Sequence, residues 1–233
     1  MNSDAVELVN LTLGYNGFSV IHNVSGSVRK GSLTAVVGPN GSGKSTLLKG
    51  IAGILPPSDG ECIIHHPTRI AYLPQLSELD RSFPACVRDI VSLGLWPERG
   101  PFRRHRQQDR QRLSDALAQV GMIGFENQPL AMLSGGQLQR ALFARVILQD
   151  ADLILLDEPF NAIDVKTTRD MLALIKRWHA QSRTVVVVIH DMSLVREHFP
   201  ETLMINGRVM AWGETLAVLK QGTDDDHADK RAN

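Results

Sequence analysis

Gly38-Pro39-Asn40-Gly41-Ser42-Gly43-Lys44-Ser45 is where the chain's residue types most clearly specify a chemistry. Glycines at 38, 41 and 43 let backbone N–H groups converge on anionic oxygens with no side chain in the way. Lys44 adds a mobile cation, Ser45 a hydroxyl suited to a hard metal ion, and Thr46 a further polar contact. The pattern G-x-x-x-x-G-K-[ST] between a strand and a helix is a phosphate cradle, strengthened by the partial positive charge of the helix N-terminus. In that role Lys44 reaches the β- and γ-phosphates of a nucleotide and Ser45 ligates Mg²⁺.

A second chemical feature is Asp157-Glu158, which ends the apolar run Leu153-Ile154-Leu155-Leu156. Open α/β sheets bind ligands at the carboxyl ends of their strands. Asp157 there would help hold Mg²⁺, mainly through water. Glu158, one residue on, would orient and deprotonate an attacking water. By themselves the two acids are equally compatible with a helix cap; the upstream phosphate loop decides for chemistry. A third feature is Leu133-Ser134-Gly135-Gly136-Gln137, just before the helical pattern Leu138 to Leu148. Ser134 is a good N-cap, and Gly135 and Gly136 bare backbone N–H groups, so this is a second anion-reading helix start.

These residues need rigid supports. Leu33 to Val37, Leu153 to Leu156 and Val185 to Ile189 read as strands buried on both faces, the habit of a parallel sheet covered by helices. Thr46 to Leu55 has helical spacing. Strand then helix, repeated, predicts an α/β fold. Residues from about 79 to 150 are rich in helix formers, Arg and Gln, broken early by Pro84, Gly94, Pro97, Gly100 and Pro101; they read as a helical insertion. Leu203-Met204-Ile205 and Arg208-Val209-Met210 flank Asn206-Gly207, which predicts a hairpin with a two-residue turn at positive φ. Glu214 to Lys220 reads as a last short helix and 223–233 as a polar tail.

The whole composition fits a globular chain. Of 233 residues, 43% are hydrophobic and 21% charged, enough for a large core and too apolar for disorder. Lys plus Arg equals Asp plus Glu at 25 each, so no generic electrostatic grip on nucleic acid or lipid is indicated. No apolar run reaches the roughly 18 residues of a membrane span. The segment Met1–Asn10 carries Asp4 and Glu7 and lacks a secretion pattern. Cys62 and Cys86 form neither a CxxC pair nor a disulfide scaffold, which points to a soluble protein of a reducing cytoplasm. His65-His66 and Asp224-Asp225-Asp226-His227 contain metal-ligand types, but adjacent strand histidines point to opposite faces and the acidic tail reads as solvated. Arg99 to Arg112 reads as an exposed or docking face of the insertion, since Phe102 is its single aromatic.

The order and spacing of Gly38–Thr46, Leu133–Gln137 and Leu153–Glu158 resemble those of ATP-binding cassette (ABC) ATPases, over roughly Val6 to Leu219. The Leu-Ser-Gly-Gly-Gln run is far more specific than the phosphate loop. The resemblance implies a P-loop NTPase fold: a RecA-like core, an antiparallel β subdomain and a helical insertion. It implies one ATPase domain over 1–222, with the core at about 1–78 and 151–222 and the insertion at about 79–150.

It also implies further roles. Tyr15 looks like the aromatic that stacks on adenine, Gln75 like the glutamine that senses Mg²⁺ and water, and His190 like the switch histidine on the γ-phosphate. Asn161 and Asp164 occupy the loop that communicates across a dimer, where the common form begins with Ser. Two copies would pair head to tail on two ATP molecules, each held between Lys44 of one and Ser134, Gly136 and Gln137 of the other. A chain of this kind docks on an integral-membrane permease at the inner face of the cell membrane, served by an extracytoplasmic binding protein. The stretch from Ile70 through Trp96, and Glu158-Pro159-Phe160 with Asp164-Val165-Lys166-Thr167, resemble ATPases of bacterial zinc and manganese uptake. A soluble iron–sulfur assembly factor, or an importer ATPase for haem or a siderophore, remains an alternative.

Overall fold

The computed structural model describes residues 4–65, 68–100 and 106–221. At its centre is a six-stranded sheet in the order β5-β6-β7-β3-β8-β9. The strands are β3 (Leu33–Val37), β5 (Ile70–Leu73), β6 (Leu153–Asp157), β7 (Thr184–Val188), β8 (Glu201–Ile205) and β9 (Val209–Glu214). All neighbours pair parallel except β8 with β9. Every residue of β3, β6 and β7 is buried, as their continuous apolar runs require.

Strand alternation divides those runs between two cores. Leu33, Ala35, Val37, Ile154, Leu156, Val185 and Val187 face one hydrophobic cluster. Val36, Leu153, Leu155, Val186 and Val188 face the other. The second cluster is covered by α1 (Lys44–Ile51) and by an antiparallel sheet ordered β2-β1-β4. Its strands are β1 (Asp4–Tyr15), β2 (Phe18–Arg29) and β4 (Asp59–Ile64). Asn16 and Gly17, at φ 51° and 82°, make the tight turn between β1 and β2 and set Tyr15 opposite Phe18.

The first cluster is continuous with the helices α2 (Val87–Ser92), α4 (Gln107–Gln119) and α5 (Gly135–Gln149) between β5 and β6, whereas α3 (Trp96–Arg99), which follows α2 in the chain, buries no residue. The cluster also takes in α6 (Val165–Ala180) and α7 (Met192–His198). Phe143 of α5 stacks on Trp178 of α6 with ring centroids 5.7 Å apart and planes 9° from parallel. Residues 215–221 form the last described helix, α8, close to the predicted span.

One expectation needs correction. The β8–β9 hairpin exists, but Ile205 pairs with Val209, so its loop is 206–208 and Gly207 is the left-handed residue. A three-residue loop needs one positive φ where the predicted two-residue turn needs two. In the arginine-rich stretch Arg106, Gln107, Gln108, Arg110 and Gln111 are exposed, as expected of an outward face, while Arg99 and Arg112 are tied into ion pairs. Arg99 bonds the buried Asp109 at 2.9 Å, and Arg112 makes a two-pronged pair with Glu98 at 2.8 and 3.1 Å. Residues 101–105 of that stretch, His66 and the tail from 223 lie outside the described residues. Cys62 and Cys86 are free thiols, and burial pushes Cys62 up to about 11. Among the described residues no helix is long and apolar enough to cross a membrane.

Phe143 is fully buried where α5 meets α6. Phe143→Ala is expected to cost about 3–5 kcal/mol in a urea unfolding titration, through lost burial plus the cavity left behind.

Candidate active site

The carboxyl ends of β3, β5, β6 and β7 share one edge of the sheet. Gly38 directly follows β3 and Gln75 comes two residues after β5. Asp157 ends β6, Glu158 follows it, and His190 comes two residues after β7. Strand order therefore gathers residues that are far apart in the chain.

Glycine shapes the loop between β3 and α1. A side chain at Gly38 (φ 153°) would run into the Ile205 carbonyl oxygen. A Cβ at Gly43 (φ 95°) would lie 2.6 Å from Ile21 Cγ1. Gly41 faces open space. Ser42 is buried, with its amide bonded to the Pro39 carbonyl at 3.2 Å. Lys44 is buried and folds back over the loop, donating from Nζ to the Gly38 and Pro39 carbonyls at 3.0 and 2.8 Å. Burial pushes its pKa down, against the pull of Glu158 and Asp157.

A polar network closes the inner wall. Ser45 Oγ donates to Asp157 Oδ1 at 3.0 Å. Gln75 Nε2 donates to Ser45 Oγ at 2.9 Å and to Glu158 Oε1 at 3.0 Å, and lies 3.4 Å from Asp157 Oδ1. His190 Nε2 is 2.7 Å from Glu158 Oε1, and Asn161 Nδ2 donates to Glu158 Oε2 at 3.1 Å. Asp157 is fully buried; that burial raises its pKa, while the bonds from Ser45 and Gln75 pull it down. Glu158 itself sits at φ 49°, a left-handed backbone that costs a non-glycine residue about 1–3 kcal/mol.

In front of the network lies a cavity of about 870 Å³, within the range of nucleotide-sized pockets. Lys44, Ser45, Gln75, Glu158, Asn161 and His190 line it, together with Tyr15, Val20, Asn40, Gly41, Gly43 and Thr46. A glycine cradle that side chains would obstruct fits a polyphosphate. The convergence of the Ser45 hydroxyl and the Asp157 carboxylate fits Mg²⁺, which prefers hard oxygen donors, while Gln75 presents its amide Nε2 to both.

Ser134, Gly135, Gly136 and Gln137 do not line this cavity. They open α5 as a reciprocal cap: Ser134 Oγ accepts from the Gln137 amide at 3.2 Å, and Gln137 Oε1 accepts from the Ser134 amide at 2.9 Å. The loop from Asn161 to Asp164 lies against them; a Cβ on Gly136 would be 3.5 Å from Asp164 Oδ2. Asp164 caps α6, accepting from the Thr167 amide at 2.9 Å and its hydroxyl at 2.8 Å, and these bonds hold its pKa low. His65 sits elsewhere, 3.1 Å from Glu7 Oε2.

Two participants escaped the sequence reading. Tyr72 OH donates to Asp157 Oδ2 at 3.3 Å. Its signal was strand alternation, which turns it away from buried Ala71 and Leu73. Arg140 joins α5 to α6 through Asp170 at 2.6 Å and Thr167 at 3.3 Å, a tertiary contact with no local signature.

Residues 21–161 match the ABC transporter family. The manganese transport system ATP-binding protein MntB of Listeria monocytogenes is 40% identical over 214 residues, covering 89% of each chain. The zinc transport system ATP-binding protein TroB of Treponema pallidum is 38% identical, covering 93% of this chain and 84% of its own. A transporter assigned to the metal-chelate ABC type, in an inward-facing conformation, superposes with a TM-score of 0.82 at 32% identity, over 93% of this chain and 85% of its own. The dimeric cassette MJ0796 bound to ADP and Pi gives 0.80 at 27% identity, over 90% and 98%. The chain belongs to the ABC transporter family. Within it, it is an ATP-binding cassette with the P-loop NTPase fold, an ATP hydrolase.

Gly43→Ala forces a left-handed alanine against Ile21. It is expected to lower unfolding free energy by about 1–3 kcal/mol in urea and to weaken ATP binding in calorimetry.

Proposed function

We propose that this chain is the motor of a bacterial zinc or manganese importer. Two identical cassettes close head to tail on two ATP molecules and drive a separate integral-membrane permease. One observation carries the reading. Ser45, Gln75, Asp157, Glu158 and His190 interlock beside the cavity, while Ser134–Gln137 lie outside it. The site is half built in one chain, and a two-fold partner supplies the missing wall, with ATP as the glue.

The geometry supports a role for each residue in this reading. Tyr15, half-exposed at the cavity mouth, offers a ring face to adenine. Gly38, Pro39, Asn40, Gly41, Ser42 and Gly43 wrap the phosphates, helped by Thr46. Lys44 exchanges the Gly38 and Pro39 carbonyls for β- and γ-phosphate oxygens. Ser45, Asp157 and Gln75 hold Mg²⁺, Asp157 mainly through water. Bound Mg²⁺ neutralises charge on the β- and γ-phosphates. Glu158 takes a proton from the water that attacks the γ-phosphorus, and His190 contacts the γ-phosphate. Ser134, Gly135, Gly136 and Gln137 close over the partner's ATP. Asn161 and Asp164 link the network to that surface. Once the γ-phosphate is gone its contacts lapse and the dimer opens.

Relatives named for manganese and zinc transport support the cargo. The metal itself is selected by the permease and an extracytoplasmic binding protein. The chain works in the cytoplasm, peripheral on the inner face of the membrane. Residues 1–222 act as one ATPase domain, with 79–150 as its insertion.

Glu158→Gln is expected to hydrolyse ATP very slowly and to elute as an ATP-bound dimer in size-exclusion chromatography; wild-type turnover would refute the base assignment. Lys44→Ala is expected to lose ATP binding or turnover. Ser134→Arg is expected to fold yet fail to dimerise; normal dimerisation and hydrolysis would refute the sandwich. Cells lacking the chain should lose ATP-dependent uptake of radioactive zinc or manganese, and unchanged uptake of both would refute the cargo.

A further inference from the structure

We infer that Asn161 is a positioning residue for the carboxylate of Glu158, acting within its own chain. This rests on the ATPase reading and adds a residue to it. Glu158 accepts from Gln75 and His190 at the same oxygen, Oε1. Two donors on one oxygen leave the carboxylate free to turn, because the terminal torsion of glutamate is broad. Among the described residues, Oε2 is held by Asn161 alone, at 3.1 Å. That third bond fixes the carboxylate plane, and with it the direction of the lone pair that meets the attacking water.

The backbone is built to deliver it. Glu158 and Ala162 adopt left-handed φ angles of 49° and 57°. Between them the Asn161 amide bonds back to the Glu158 carbonyl at 3.2 Å, folding the loop into a turn. The turn carries the Asn161 side chain to the cavity wall, beside the residue it bonds. A carboxamide reaches one bond further than a hydroxyl would, and it donates at every pH of interest.

The test uses Asn161→Asp, which keeps the shape but cannot donate when ionised. It is expected to lower kcat by about tenfold or more, the loss of a charge-assisted bond, with KM for ATP unchanged. A variant with a general packing defect would move both. Mixed dimers then separate action within the chain from action across the dimer. One preparation carries Glu158→Gln and Asn161→Asp together in one chain, opposite wild type. The other carries Glu158→Gln in one chain and Asn161→Asp in the other. Action within the chain leaves a complete site in the first and none in the second, so single-turnover hydrolysis should be about tenfold faster in the first. Equal rates, or a faster second preparation, overturn the proposal. Absence of ATPase activity from the wild type would refute the ATPase reading itself.

Discussion

The position of β7 between β3 and β6 is the constraint on which the site depends. Parallel pairing sets neighbouring strands about 4.8 Å apart, so the ends of β3 and β6 stand roughly 10 Å from each other with β7 between. That gap is spanned by Ser45, the last residue of the phosphate loop and the second of α1, whose Oγ lies 3.0 Å from Asp157 Oδ1. The apolar runs of β3, β6 and β7 are thus part of the chemistry, since their burial on both faces is what makes the spacing rigid.

Two of the seven non-glycine residues with positive φ among those described, Glu158 and Ala162, lie in the same place. Glu158, Ala162, Gly38, Gly41 and Gly43 all have positive φ. At the glycines this costs little, and at Glu158 and Ala162 it is stored energy. The strain is balanced by the side chains it presents. Glu158 receives three hydrogen-bond partners, and Asp164 caps α6 through two bonds from Thr167. The acid after β6 is held against its own backbone preference by the network it serves.

Much of this was legible in the chain. Strands buried on both faces announced themselves as unbroken apolar runs, and the phosphate loop by its glycines. Residues at strand ends were readable because strand ends are where α/β sheets place chemistry. What was not legible required knowing which segments become neighbours. Tyr72 meets Asp157 only because β5 pairs with β6. Arg140 meets Asp170 only because α5 crosses α6. The Asn-Gly rule predicts a two-residue turn at Asn206-Gly207, where the loop is one residue longer, while Asn16-Gly17 forms the tight turn it describes. Local turn chemistry is shared by both sites; strand register separates them.

The helix α5 is one continuous rod of 15 residues, about 22 Å long. Near its C-terminal end Arg145 and Gln149 hook the Tyr72 and Ile70 carbonyls of β5 at 2.6 and 2.7 Å, just upstream of Gln75. Near its N-terminal end Arg140 grips Asp170, and Gly136 rests against Asp164. A stiff member jointed at both ends is a connecting rod. Ser134 rides on its tip, so it cannot shift without loading either the β5 joint beside Gln75 or the α6 joint beside Asp164. In mechanical terms the surface that would face a partner has no free play of its own; its position is a readout of the two loops that border the cavity.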